Sequence, residues 1–523
     1  MITRLLSGIG IQLATEIYLC KMFFNKILQG KLNQFLVFHF LIPFLFFVFA
    51  LCLMPVKQAF QFDTDEGIEL IKAVLYSEGF TLYTKIWNDQ PPLLTVLLSY
   101  WFDLFGKSIF AARLLILSFA TLLIWSFCQT LRICLGRLPA LIGTLLLSVS
   151  CNFLRLSVSV MFGLPSLALA MLSIYTLILY RQKSHLYLVV LSGGFLALSL
   201  QTKLFTLFLI PLLFFLLIDF QIRECKNKKS IIPLLYASLC WIVSLVGVFV
   251  LIGLSFHSRN FEQLLQSNFG QNVKESFSRK NSFQDISLMF FQDFDYLLLA
   301  ITGIGLLLKK KEGFNKLPLF WIVTITLLLL NYQPIWYHHY LLLSIPLTWL
   351  ATYGATLAFE HFEQEGWYSV FKPQNIKKLT LHHIAAFFLS LSIIALPIKL
   401  TLIQVQNHVF LQQSSSSLEV LATLLKYKKA THWVFTDMPI YAFYADLKVP
   451  PEIAVFARKR LASGYLTDKL LTSVMERYHP EQVILKRFPE IHNSLKPYLN
   501  KDYLNISENK STTHYLLRNL RSD

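Results

Sequence analysis

Apolar runs of about 18–20 residues, the length that crosses the hydrocarbon of a bilayer, recur along most of this chain. They fall at 35–54, 108–131, 138–156, 162–180, 185–200, 204–220, 231–256, 294–308, 317–331, 336–358 and 381–403. The pattern predicts a polytopic α-helical membrane protein of eleven transmembrane helices. With 55% apolar and only 15% charged residues among 523, disorder, a collagen repeat and a disulfide scaffold are excluded. The seven cysteines all precede residue 241 and match no bridge or metal spacing, so they read as reduced packing residues.

Charge then orients the chain. A net +17 in a soluble protein would raise the question of nucleic acid, but membrane proteins gather Lys and Arg in their cytoplasmic loops. If residues 1–34 are cytoplasmic, the inner connections carry Lys and Arg at about twice the density of the outer ones or more. This segment, with Arg4, Lys21, Lys26 and Lys31, precedes the first apolar run by too much for a cleaved signal and reads as part of an uncleaved anchor. Residues 35–403 form the membrane domain, with a large first outer loop at 56–107. An odd number of spans leaves 404–523 outside the cytoplasm, at a plasma (inner) membrane. There Ser414-Ser415-Ser416-Ser417 reads as a linker to a soluble α/β domain with short apolar runs at 432–435 and 482–485. No nucleic-acid partner is expected.

The first outer loop carries the most chemistry. Phe62-Asp63-Thr64-Asp65-Glu66-Gly67 puts three carboxylates in four residues where the chain leaves the bilayer. Two readings fit: a general base or cation holder in a wet cavity, or a helix N-cap with an acidic first turn before the amphipathic stretch Gly67–Tyr76. Further on, Trp87-Asn88-Asp89-Gln90-Pro91-Pro92-Leu93 holds a proline pair that fixes an extended corner. Gly106 and Phe110-Ala111-Ala112-Arg113-Leu114 then open the second span.

Taken together, these features resemble the C-fold membrane glycosyltransferases that use polyprenyl-phosphate sugars, the branch of dolichyl-phosphate-mannose protein mannosyltransferases and lipid A aminoarabinose transferases. The resemblance covers the whole chain. It implies that Asp65 is the catalytic base with Glu66 in support, and that Asp63 is the alternative. The family's basic residue before Pro-Pro is Gln90 here, so Lys85 would substitute for it, and Asp89 beside it is counted with the ligand contacts. Thr202-Lys203 resembles the family's Thr-Lys before a span, which implies a lipid-phosphate contact; a lysine snorkelling to the interface is the plainer reading. His338-His339-Tyr340 resembles the family's basic-x-Tyr segment, and with Arg113 would contact the donor phosphate; interfacial packing is its plainer reading. Many members carry an acid in the second outer loop, whereas 157–165 has none. A second carboxylate, if needed, would come from Asp63, Asp89 or, unranked, Glu262, Glu275, Asp285, Asp293 and Asp295.

The implied activity is inverting transfer of a sugar from a polyprenyl-phosphate carrier to a lipid, glycan or protein acceptor. It requires no cofactor and is compatible with a divalent metal. A lipid or sugar transporter, which would show repeated halves and discontinuous spans, and a non-catalytic envelope-assembly protein are the alternatives.

Overall fold

The computed structural model describes residues 30–228, 232–256, 262–269, 282–291, 293–309, 316–332, 334–365, 380–509 and 512–521. Readings made on residues 1–29 and on Glu275 lie outside these. Among the described residues, six helices are long and apolar enough to cross a membrane: Lys31–Leu53, Ile109–Leu135, Gly163–Lys183, Leu235–Ser255, Tyr337–His361 and Leu381–Lys426. Shorter apolar helices stand at Leu186–Thr202, Leu204–Phe220 and Leu317–Leu330. A fourth, Leu93–Phe105, begins directly after the proline pair of the first loop, with Pro92 as its N-cap.

Two expected spans are bent. The apolar run 138–156 is a pair, Arg137–Ser148 and Cys151–Val158, turned by 71°. The run at 294–308 continues back through Met289-Phe290-Phe291 only across a 94° bend between Phe283–Phe291 and Phe294–Lys309. Broken helices expose backbone groups that hydrocarbon cannot satisfy, so they persist only where protein surrounds them. Here both breaks meet one buried network. The Ser150 hydroxyl, at the first break, donates to Asp293 Oδ2 at 2.7 Å, and Tyr296 donates to the same oxygen at 2.6 Å. Lys399 closes the network with 3.0 Å to Asp293 and 2.6 Å to Asp295.

The C-terminal domain is built on a four-stranded sheet in the order β1 (Val434–Thr436), β2 (Gln482–Leu485), β4 (Thr512–Leu517), β3 (Tyr503–Asn509). β1 and β2 are parallel, with Val434 beside Gln482, and the remaining pairs are antiparallel. The two apolar runs read from sequence are these two parallel strands.

The serine run is not a linker. Leu381–Lys426 is one helix of 46 residues, and the α/β fold starts after it rather than at 404. Ser414 and Ser417 are buried and bond back to Phe410 and Gln413 carbonyls, so four serines continue the helix instead of breaking it. This stiff post seats the C-terminal domain on the first loop. A Cβ on Gly67 would lie 2.5 Å from the Ile440 nitrogen, so the helix Asp65–Ser77 approaches Ile440–Ala445 as closely as a glycine allows. Lys107 pairs with Asp446 and Lys448 with Glu78, which puts the first loop and the C-terminal domain on the same side of the helical bundle.

Candidate active site

The segment leading from the first span into the acidic turn has no regular partner strand, yet its backbone is closed by side chains from other elements. Arg113 donates to the carbonyls of Val56 at 2.7 Å, Ala59 at 2.8 Å and Phe60 at 3.4 Å. Tyr444 donates to the Phe60 carbonyl, and the Phe60 N–H reaches Ser414 Oγ at 2.8 Å. Arg155 donates to the Phe62 carbonyl at 2.7 Å. A loop whose polar groups are satisfied this completely is fixed in place.

Glu66 is the centre of that clamp. It is fully buried, pairs with Arg113 through both oxygens at 3.2 and 3.0 Å, and accepts the N–H groups of Phe62 at 2.7 Å and Val160 at 3.0 Å. All five N–H groups of the fully buried Arg113 are spent on Glu66 and the three carbonyls. Sequence reasoning set Glu66 beside the base and Arg113 on a phosphate; the structure makes them instead the lock that joins the first loop to the second span and to Val160.

The other two carboxylates face outward from the lock. Asp63 Oδ1 accepts the Asp65 N–H at 2.9 Å, but the N-cap of the helix is Thr64, with no side-chain cap bond, so neither aspartate holds the capping place expected of it; Arg155 stands 4.0 Å from Asp63 Oδ2. Burial, then the Asp65 charge, raises the Asp63 carboxyl to about 7. Asp65 opens the helix Asp65–Ser77, is half-buried, and among the described residues no group hydrogen-bonds its carboxylate.

Cations gather opposite. Lys203, in the turn after Leu186–Thr202, donates to His338 Nε2 at 3.2 Å and lies over the Phe205 ring. Burial, then the nearby Lys459 charge, lowers its ammonium to about 8, while Asp65, Asp89 and Glu69 support the charged form. His339 Nδ1 accepts the Trp336 N–H at 3.1 Å, which leaves its Nε2 as the protonated nitrogen of the neutral ring. Tyr340 does not join them. It is buried and donates to Asp293, inside the network at the helix breaks, which removes it from the ligand-contact set. Lys85 is exposed on the rim of the first loop. Asp89 is half-buried and close enough to support the charges of Lys203 and Arg460.

Several groups escaped sequence reasoning. Glu69 and Lys72, three residues apart on one helix, look like a solvated pair but are buried, 2.8 Å apart, with Lys72 also donating to Asn88 at 3.1 Å. Burial lifts Glu69 to about 7 against the pull of Lys72. Lys459 and Arg460 come from the C-terminal domain: Lys459 donates to Tyr332, and Arg460 is buried over the Trp87 ring. The basic run Arg458-Lys459-Arg460 was the only signal available for them. Among the described residues no group of three or more His, Cys, Asp or Glu is arranged to hold a metal ion.

The helical bundle has counterparts among known proteins. Residues 89–260, about a third of the chain, match the family model of dolichyl-phosphate-mannose-protein mannosyltransferases. The crystal structure of ArnT from Cupriavidus metallidurans bound to undecaprenyl phosphate superposes with a TM-score of 0.62 at 11% identity, covering 92% of this chain and 99% of that one. In fold, this chain is similar to ArnT. The apo oligosaccharyltransferase of Archaeoglobus fulgidus is a more distant likeness, with a TM-score of 0.53, 11% identity, and coverage of 86% of this chain and 70% of that one. A comparison with curated proteins gave no match. The acidic turn between the first span and the loop helix and the cationic turn before the Leu204–Phe220 helix both lie on the side that carries the C-terminal domain.

Proposed function

We propose that the protein transfers a sugar, with inversion, from a polyprenyl-phosphate carrier to an acceptor on the outer face of the plasma membrane. The observation that carries this reading is the unbonded Asp65 carboxylate set against Lys203, His338 and Lys459. Asp65 takes the proton of the acceptor hydroxyl as that oxygen attacks the anomeric carbon. The bond to the lipid phosphate breaks on the opposite side, and its electron pair stays on the phosphate. Negative charge grows on that phosphate in the transition state, where Lys203 and Lys459 stabilise it. A phosphate leaves without prior protonation, so one base suffices and the acid of a hydrolase pair is not needed.

Discontinuous helices also belong to transporters. Here both breaks close on the Asp293–Lys399 network, a sealed ionic joint rather than a lined path.

Removing the Lys203 charge tests the donor side. Lys203→Met should lower turnover of a short-chain polyprenyl-phosphate sugar about 100-fold or more, the usual cost of one transition-state donor, and Lys203→Arg should restore part of it. A merely snorkelling lysine would leave turnover unchanged. Orientation is tested separately: an introduced cysteine at Ser415 should react with an impermeant thiol reagent on intact cells, and one at Lys228 should not. The reverse pattern would move the site to the cytoplasmic face.

A further inference from the structure

Two arginines stand beside the acidic turn, and they are employed differently. Arg113 has every N–H bonded, whereas Arg155 makes one hydrogen bond among the described residues, from Nη2 to the Phe62 carbonyl at 2.7 Å. The Arg155 Nε–H is buried without an acceptor, and the side chain is 21% exposed. Hydrogen bonding alone does not account for where this guanidinium stands.

Aromatic rings do. The guanidinium carbon lies 4.2 Å from the Tyr337 ring centroid and 5.1 Å from that of Phe410. The planar, weakly hydrated head of an arginine stacks on such faces, so two rings hold it where polar partners are few. Tyr337 opens the turn Tyr337–His339, and Phe410 belongs to the long helix Leu381–Lys426. With Phe62 bonded and Asp63 at 4.0 Å, one side chain touches the acidic turn, the histidine turn and the long helix.

Its own support is fixed at both ends. The helix Cys151–Val158 begins at Ser150, whose hydroxyl is tied to Asp293, and is followed by Val160, whose N–H is tied to Glu66 at 3.0 Å. Met161, next in the chain, receives the Tyr337 hydroxyl on its sulfur at 3.7 Å, so this stretch grips the histidine turn twice. The charge has a use as well. Asp63 and Asp65 repel each other within one turn, and a cation beside Asp63 offsets that repulsion.

We propose that Arg155 is a positioning residue for the base: it ties the carboxylate turn to the histidine turn and so fixes the gap across which Asp65 faces Lys203 and His338. The proposal rests on the transferase reading and adds to it the residue that keeps the two sides of the site in register. A gap set by one stacked guanidinium opens when that group is lost, even while the Glu66–Arg113 lock persists, and a displacement of about 1 Å is enough to cost about 100-fold in rate.

Hydrogen exchange in the full-length protein in detergent tests the tie without any substrate. Arg155→Ala should speed exchange in the peptides covering 60–66 and 336–340 together, by about tenfold or more, while the rest of the chain keeps its rates. Loosening of one turn alone, of the whole chain, or of neither overturns the proposal. With a short-chain polyprenyl-phosphate sugar as donor, the same variant should lower kcat about 10- to 100-fold and leave the donor KM within about threefold, because Lys203 and Lys459 are untouched. Arg155→Lys, which keeps the charge beside Asp63 but cannot stack, should restore part of kcat. A raised KM at unchanged kcat would make Arg155 a donor contact, and that result, or no loss at all, overturns the positioning role. If the wild type turns over no such donor, the transferase reading falls, and the exchange result still decides the tie.

Discussion

Asp65→Asn should abolish transfer, by about 100- to 10,000-fold, while the protein stays folded and abundant in the membrane. The substitution keeps the shape of the side chain and removes the group proposed to take the acceptor proton. Its structural cost is small, because an acidic residue in a helix first turn contributes only about 0.3–1 kcal/mol and no described group bonds to this carboxylate. Asp63→Asn separates the two neighbours. Asn at 63 still offers an oxygen to the Asp65 N–H, so the turn persists, and with Asp65 as the base more than a tenth of the turnover should survive. If Asp63 is the base instead, the losses exchange places. Wild-type turnover would then fall as pH drops through about 7, where the raised Asp63 carboxyl takes up its proton, and Asp63→Asn would remove activity at every pH. Turnover of each variant across pH 5–9, beside its detergent-solubilised yield, distinguishes the cases.

Sequence reasoning located the apolar helices, six of which among the described residues are long enough to cross a membrane against the eleven expected, because hydrocarbon enforces a pattern that one chain displays without a partner. It also singled out the carboxylate turn, Lys203 and the histidine pair, since charges at the end of an apolar run are rare and costly. What it could not resolve was which charges meet each other. Glu66 and Arg113 are 47 positions apart, and nothing local distinguishes a locked carboxylate from a reactive one two or three residues away. The same holds for Lys399 with Asp293 and Asp295, whose pairing is what makes two helix breaks tolerable. Ser414–Ser417 misled for a different reason. Consecutive serines favour loops on propensity, but here tertiary packing outweighs that weak preference, burying two of the four and giving a third to a cavity wall. Lys459 and Arg460 were missed because a soluble domain with only a mild basic excess gives no sign that one short helix faces the membrane site.

The lock itself should prove the most sensitive structural feature of the first loop. Arg113→Met leaves Glu66 as a buried charge with no counterion and orphans the Val56 and Ala59 carbonyls, Phe60 keeping Tyr444, and breaking a buried pair of this kind costs about 3–5 kcal/mol. Glu66→Gln should cost less, since the amide keeps an oxygen for the Phe62 or Val160 N–H, though Arg113 then loses its counterion. The double variant should be more stable than Arg113→Met alone, because the uncompensated carboxylate goes with its partner. Thermal unfolding in detergent, followed by the yield of folded protein, reads all three. Arg113→Lys decides between a lock and a ligand contact. An ammonium keeps the charge but has no planar fork to reach Glu66 and three carbonyls together, so a locking arginine replaced by lysine should unfold at clearly lower temperature. An arginine that met the donor phosphate would show the opposite, unchanged unfolding with a weakened use of donor, and would return Arg113 to the site.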